Sequence, residues 1–308
     1  GTPGLLFYVP RRARQFDLDV FWAPEHFGPI TGMGDIPIVA TIHDFAFARF
    51  PHSLPGVNRL ILKCLAPLSW RRSSMLVTIS DFTHRELCSL YESVVSRTVV
   101  RTVPNACRHH SLPPGYSPKS RGSHLLHVGN FEPRKNLGRL IDALCLLHDR
   151  GQKIRLRIVG PPGWKNRSDR KRLACSAISS HVEFTGYLTD QELVEEYLSC
   201  KALVFPSLYE GFGLPVLEAF DLDCPVLTSK GTAMEEVAGP AAFYFDPHSA
   251  ESIAESISAF FSDSGGHGRK QPAMQAVVRR YSWQATASMT LDALRSVVAT
   301  STRKASSR

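Results

Sequence analysis

The sequence predicts an α/β protein with two parallel-sheet domains facing a cleft. Three observations carry this reading. Short apolar runs alternate with helix-period stripes along almost the whole chain. A polar break rich in Pro and Gly, His109 to Gly122, divides that alternation into two series. A glycine-bearing loop, Pro206 to Gly213, follows an apolar run and opens a helix.

The first series has a strand near Asp19-Val20-Phe21-Trp22, then Ile38–Ile42, Met75–Ile79 and Thr98–Arg101. Between the second and third, Leu60, Ile61, Cys64, Leu65 and Leu68 recur at helical spacing and predict one buried helix face. Thr83-His84-Arg85-Glu86 has the spacing of a capping box. The second series has strands at Leu125–Val128, Ile154–Val159, Val182–Phe184, Ala202–Phe205 and Pro225–Thr228. Leu137, Leu140, Ile141, Leu144 and Leu147 form an apolar stripe, and Thr189-Asp190-Gln191-Glu192 caps a further helix. From about Gln271 the pattern is helical, with Ser301–Arg308 read as frayed. Strands separated by helices require right-handed crossovers, hence parallel sheets and two Rossmann-like domains. The expected boundaries are 1–110, a linker at 111–122, 123–285, and a terminal helix and tail at 286–308. Only about four strands precede the linker, with no glycine-rich strand–helix turn before them. The first domain is therefore expected to lack its opening strands.

Composition bounds the function. The 308 residues, 43% apolar and 21% charged, suit a folded soluble chain. No apolar run approaches the ~18 residues of a membrane-spanning helix, and the first residues lack the basic start of a signal peptide. Seven scattered cysteines without a Cys-x-x-Cys pair argue for reduced thiols, a cytoplasmic location and no zinc site. The net charge of +8 is spread out, with clusters at Arg11-Arg12-Ala13-Arg14 and Arg71-Arg72. It fits a solvated surface, a phosphate-bearing substrate, or peripheral association with an anionic membrane at its inner face. Nucleic acid is disfavoured because no recognition motif accompanies the charge.

The most informative segment is Phe205-Pro206-Ser207-Leu208-Tyr209-Glu210-Gly211-Phe212-Gly213-Leu214-Pro215-Val216-Leu217-Glu218. Gly211 and Gly213 let backbone approach a ligand closely, and Pro215 suits a first helical turn. The N–H groups near Gly213 and Leu214 would then face an anion or sugar oxygen, aided by the helix dipole. Glu210 on the loop and Glu218 inside the helix would hold two hydroxyl-bearing parts of one ligand.

This string resembles the signature of the retaining glycosyltransferases of family four, the glycosyl transferases group 1 family. Glu, seven residues, Glu is its hallmark. His127-Val128-Gly129-Asn130-Phe131-Glu132-Pro133-Arg134-Lys135-Asn136-Leu137 is similar to the family's phosphate-binding strand–loop–helix. Val182–Leu188 is similar to its nucleobase-contacting segment. Thr41-Ile42-His43-Asp44, Thr78–Phe82 and Val103-Pro104-Asn105 match in the first domain. The Glu-Pro-Arg-Lys-Asn run is most similar to mannosyltransferase-like members of surface-polysaccharide assembly.

The resemblance implies the two-domain GT-B fold and transfer of a hexosyl unit, with mannosyl as one candidate. The unit would pass from a GDP- or UDP-type sugar to a glycan or lipid-linked acceptor, with retention, no cofactor and no metal. Lys135 and Arg134 would hold the donor diphosphate, with a solvated helix start as the bland alternative. Asn130 stands beside them, where many relatives have Arg. Glu210 would bind sugar hydroxyls, Glu218 the ribose, and the backbone of Phe212, Gly213 and Leu214 the sugar–phosphate. Tyr187 would flank the base or be a core aromatic. His43 would lie near the transferred sugar, and Ser80 is either a cap or a ligand contact. The favoured mechanism is front-face attack by the acceptor, assisted by the departing phosphate oxygen. Leu222-Asp223-Cys224 replaces the family's Cys-Gly-Thr and implies an altered turn. Two rivals are an epimerase of the same architecture and a truncated, inactive donor-binding module.

Overall fold

The computed structural model describes residues 8–53, 56–107, 112, 121–161, 176–263 and 265–306, with backbone alone at 53, 267 and 302–306. The chain divides into two compact units, Gly1–Asn105 with Trp283–Arg308, and Ala106–Ser282. Most of the 109–122 break lies outside the described residues.

The first unit holds α1 (Val9–Ala13), β1 (Phe21–Ala23), β2 (Ile38–Ile42), α2 (Ala46–Arg49), α3 (Gly56–Arg72), β3 (Met75–Thr78), α4 (Asp81–Leu90), α5 (Glu92–Val95) and β4 (Val99–Thr102). The strands form a parallel sheet in the order β1-β2-β3-β4. All five residues of β2 and all four of β3 are buried, as a sheet covered on both faces requires. Two local readings need correction. The helix after Ile79 is capped by Ser80, whose extended backbone lets its hydroxyl accept from the Thr83 N–H. Thr83 is buried inside the first turn, so the box at Thr83–Glu86 does not form. Helix α3 exists, but its buried residues are Ala66, Ser69 and Trp70, while Leu60 is 62% exposed and Leu68 is exposed. The aromatic cluster of Phe45, Phe47, Trp70 and Tyr91 fixes which face turns inward. The indole N–H of Trp70 donates to the His26 carbonyl at 2.6 Å.

The second unit holds β5 (His124–Val128), α6 (Leu137–Asp149), β6 (Arg155–Val159), β7 (Val182–Gly186), α7 (Asp190–Ser199), β8 (Ala202–Phe205), α8 (Leu214–Asp221), β9 (Val226–Ser229), α9 (Ala233–Ala238), β10 (Phe243–Phe245), α10 (Ala250–Ser262) and α11 (Gly266–Arg280). Its parallel sheet runs β10-β9-β8-β5-β6-β7. Consecutive side chains go to opposite faces. Leu125, Leu156 and Val204 pack with the α6 stripe and with Ile253, Ile257 and Phe260 of α10. Leu126, Leu203 and Phe205 pack with Val216 and Phe220 of α8 and Met274 of α11. The stripe at Leu137, Leu140, Ile141, Leu144 and Leu147 is buried throughout, as its period requires. Thr189 and Glu192 form a reciprocal capping box on α7. β10 carries no sequence signal beyond three aromatics and was not anticipated.

The long helix α12 (Trp283–Ser306) returns to the first unit. Ala293 and Val297 join Val39, Met75, Val77 and Val103 in one buried cluster. The Thr286 hydroxyl donates to the Pro104 carbonyl at 2.8 Å. Residues 301–306 continue this helix rather than fraying. Among the described residues no helix is long and apolar enough to cross a membrane, and none of the six described cysteines is in a disulfide.

Candidate active site

The site of the second unit lies at the carboxyl ends of β5 and β8, where parallel sheets place their ligands. After β5 the chain passes Gly129, turns once through Pro133–Lys135, and reaches Asn136 in the left-handed region at φ 62°. Asn tolerates that backbone. Its side-chain amide ties the turn down, donating to the Pro206 carbonyl at 3.1 Å and the Pro247 carbonyl at 2.7 Å. The Leu208 N–H donates to the Arg134 carbonyl at 2.7 Å, joining the turn to the loop after β8.

These ties bring three sequence-predicted charges together. Lys135 Nζ donates to Glu210 Oε1 at 2.6 Å, and Arg134 Nη1 lies 2.9 Å from Glu210 Oε2. Arg134 Nε also donates to Glu132 at 2.9 Å, and Nη1 to the Tyr209 carbonyl at 3.1 Å. Lys135 is only 8% exposed and Glu210 9%, which removes the reading of Arg134-Lys135 as a solvated helix start. The ammonium of Lys135 sits 5.0 Å from the centre of the Phe205 ring. Burial pushes the Glu210 carboxyl up, but the charges of Lys135 and Arg134, with the hydrogen bond from Lys135, outweigh it and leave it below its ordinary value. The three side chains are therefore held together with little room to reorient.

Helix α8 opens beside it. Gly213 is the N-cap at φ 100°, and a Cβ there would meet Met234 Cγ at 2.8 Å, so glycine is needed on two counts. Pro215 occupies the first turn. Phe212 is buried edge-on against Tyr281 at 5.4 Å, while Leu214 is exposed. Glu218 is held by the Tyr197 hydroxyl, which donates to its Oε2 at 3.1 Å. Burial, then the charge of Glu218, raises the Tyr197 phenol well above its ordinary value, so it stays a donor. Tyr187 is 81% exposed, which excludes the core-aromatic reading. Asn130 is exposed at the start of the turn, and its carbonyl accepts from the Glu132 N–H at 2.9 Å.

Sequence reasoning missed three residues here. Tyr197 belongs to no motif, and Asn136 stands only inside the string similar to the family's phosphate-binding segment. His127, quoted only as part of a longer string, is fully buried on β5, its Nδ1 3.1 Å from the Val204 carbonyl and its ring stacked on Phe205. Burial drives its imidazole down to about 4, and Lys135 adds to the shift. The Leu222-Asp223-Cys224 turn keeps a left-handed residue, with Asp223 at φ 54° and its carboxylate accepting from Gln271 at 2.9 Å.

In the first unit, His43 follows β2. Its Nε2 lies 2.7 Å from the Pro24 carbonyl. A carbonyl only accepts, so Nε2 carries a proton and donates it. The His26 ring packs edge-on at 5.5 Å. Burial lowers His26, against the pull of Asp44. Ser80 caps α4. Asp17-Leu18-Asp19 and Asp221-Leu222-Asp223 have the spacing of metal-binding pairs, yet no group of three His, Cys, Asp or Glu comes together among the described residues.

Comparison with known proteins bears on the family and the fold. Residues 116–277 match the family described as glycosyl transferases group 1, and residues 1–109 match glycosyltransferase family 4. An O-antigen chain mannosyltransferase B of Escherichia coli is 27% identical over 266 residues, which is 83% of this chain and 69% of the relative. A serotype-specific mannosyltransferase WbdA of Escherichia coli is 33% identical over 171 residues, which is 54% of this chain and 21% of that much longer relative. The structure of HepE from Anabaena in complex with UDP and glucose superposes with a TM-score of 0.71 at 18% identity, covering 94% of this chain and 80% of that one. The fold is thus of the GT-B kind, and the chain belongs to the glycosyl transferases group 1 family of glycosyltransferases.

Proposed function

We propose that this chain transfers a hexosyl unit, mannose first among the candidates, from a nucleoside diphosphate sugar to a glycan or lipid-linked acceptor. The observation that carries the reading is the buried Lys135–Glu210–Arg134 cluster beside the Gly213 start of α8. A diphosphate leaving group needs fixed positive charge in a dry site. Lys135, Arg134 and the N–H groups at Gly213 and Leu214 supply it without a metal, and Asn130 and Phe212 border the same anion. Glu210 binds donor-sugar hydroxyls, Glu218 the ribose, and the exposed ring of Tyr187 stacks on the base. His43 serves the transferred sugar through Nδ1. With no protein nucleophile required, the acceptor attacks on the face the phosphate leaves, and the departing oxygen takes its proton, so configuration is retained. The mannosyltransferases among the relatives favour mannose over other hexoses.

Calorimetry in EDTA with GDP, UDP, GDP-mannose and UDP-glucose tests the donor. Binding of one sugar nucleotide without added divalent cation is expected; binding only with Mg²⁺ or Mn²⁺ sinks the metal-independent reading. Nucleotide release that requires an acceptor glycan separates transfer from epimerisation, and nucleotide binding without any turnover would leave the chain a donor-binding module.

A further inference from the structure

A cavity of about 400 Å³ lies in the first unit at the amino ends of β3 and β4, where α12 crosses the sheet. That is the opposite end of the sheet from His43 and Ser80, which follow the carboxyl ends of β2 and β3. Its lining holds Arg97, Arg101, Ser74 and Ser301 as donors, with Met75, Val99 and Val297 as an apolar floor, and no carboxylate.

Three features make this a shaped site. Along α12, Ala293 and Val297 bury against the sheet, and the same stripe then turns to Ser296, Thr300 and Ser301. A stripe meant only for packing would stay apolar. Arg101 and Val99 share one side of β4 by strand alternation. Neither Arg97 nor Arg101 makes an ion pair among the described residues. Finally, Ser296 and Thr300 donate their protons to the helix carbonyls of Ala293 and Ser296, at 2.7 and 2.8 Å. That leaves their oxygens as acceptors facing the cavity.

Two guanidinium forks suit a phosphate, and hydroxyl acceptors suit ligand O–H groups. The volume is in the range of small-molecule sites. We propose that this cavity binds a phosphate ester carrying free hydroxyls, apart from the site of sugar transfer. Such a ligand clamps α12 onto β3 and β4.

The same chemistry exists in a soluble polyol phosphate and in a lipid headgroup, so the test has both arms. Hydrogen exchange of the full chain is followed with glycerol 3-phosphate, with phosphatidylglycerol vesicles, with phosphatidylcholine vesicles, and with sodium chloride at matched ionic strength. The expected result is slowed exchange at residues 293–301 with one of the two phosphate sources. The double variant Arg97→Gln/Arg101→Gln should weaken that response by about tenfold or more. Response to glycerol 3-phosphate identifies a free metabolite; response to phosphatidylglycerol vesicles alone identifies a headgroup. Both exposed arginines lie outside the core, and an unchanged unfolding midpoint checks the variant. No protection at 293–301, equal protection in the double variant, or the same effect from chloride overturns the proposal. Protection confined to residues 129–136 and 213–218 does so too, while leaving the donor reading intact.

Discussion

Lys135 and Glu210 show how a charged pair is kept for function. Removing one partner of a buried pair costs roughly 3–5 kcal/mol when the other is stranded. Here Arg134 remains 2.9 Å from Glu210, so Lys135→Ala leaves the carboxylate compensated and should cost well below that range. Nucleotide binding should still weaken by about tenfold, because a charge-assisted phosphate contact is worth roughly 1.5–3 kcal/mol. Calorimetry with the bare diphosphate reads this directly. Glu218→Ala should weaken bare nucleotide, and Tyr197→Phe should do so by a smaller factor through loss of one hydrogen bond. Glu210→Ala should spare bare nucleotide and hurt only the sugar nucleotide. Equal losses for both ligands in both glutamate variants would refute the division of roles. His127 gives a pH signature. Its folded value near 4 lies below the ordinary 6.5, so the unfolded chain binds the extra proton first as pH falls. Stability should therefore decline between about pH 6.5 and 4 by on the order of 3 kcal/mol. A His127→Gln variant should flatten that segment of a denaturant-midpoint profile. The charged residues of this site were legible because each sits at a fixed offset from a glycine or a strand end. Tyr197, Asn136 and His127 were not, because a hydrogen bond across the fold leaves no trace in local spacing.

The elements were read well where one period dominates. β2, β8 and α6 are apolar runs or stripes with a single burial solution, and they lie where expected. Helix α3 was misread because its clearest stripe is not its buried one, and a periodic pattern names a face without naming its partner. Ser80 outcompeted Thr83 as a cap because the strand delivers it in extended conformation at the helix entrance. The turn joining β5 to α6 depends on a close crossing that no pattern reveals. Gly160 sits at φ 141°, and a Cβ there would stand 2.3 Å from the Gly129 carbonyl oxygen. Gly160→Ala should cost about 2 kcal/mol or more. It should also displace the Asn130–Asn136 turn, seen as lower donor affinity beyond the drop in midpoint. Leu140→Ala, in the stripe on α6, should cost roughly 2–5 kcal/mol and leave the affinity of the surviving folded fraction unchanged. The two variants together separate a hinge of the site from plain packing.

At the scale of the whole chain, the division into two parallel-sheet units was visible in the two strand series. The return of the last helix was not, because an amphipathic stripe does not say which sheet it will cover. Val297 carries a test of that return. Val297→Asp buries a charge among Val39, Met75, Val77 and Val103 and should speed exchange through β2 and β3. Protection in β5, β6 and β8 should stay as it was; loss there as well would mean the units open together. The returning helix also sets an order of events at the ribosome. The second unit is one uninterrupted stretch, Ala106–Ser282, and all six strands of its sheet are present once that stretch has emerged. The first unit is translated earlier, yet its cluster waits for Ala293 and Val297, more than two hundred residues after Val39. Nascent β1–β4 must therefore remain uncovered on one face while the second unit folds, and they are the segment on which a chaperone has longest to act.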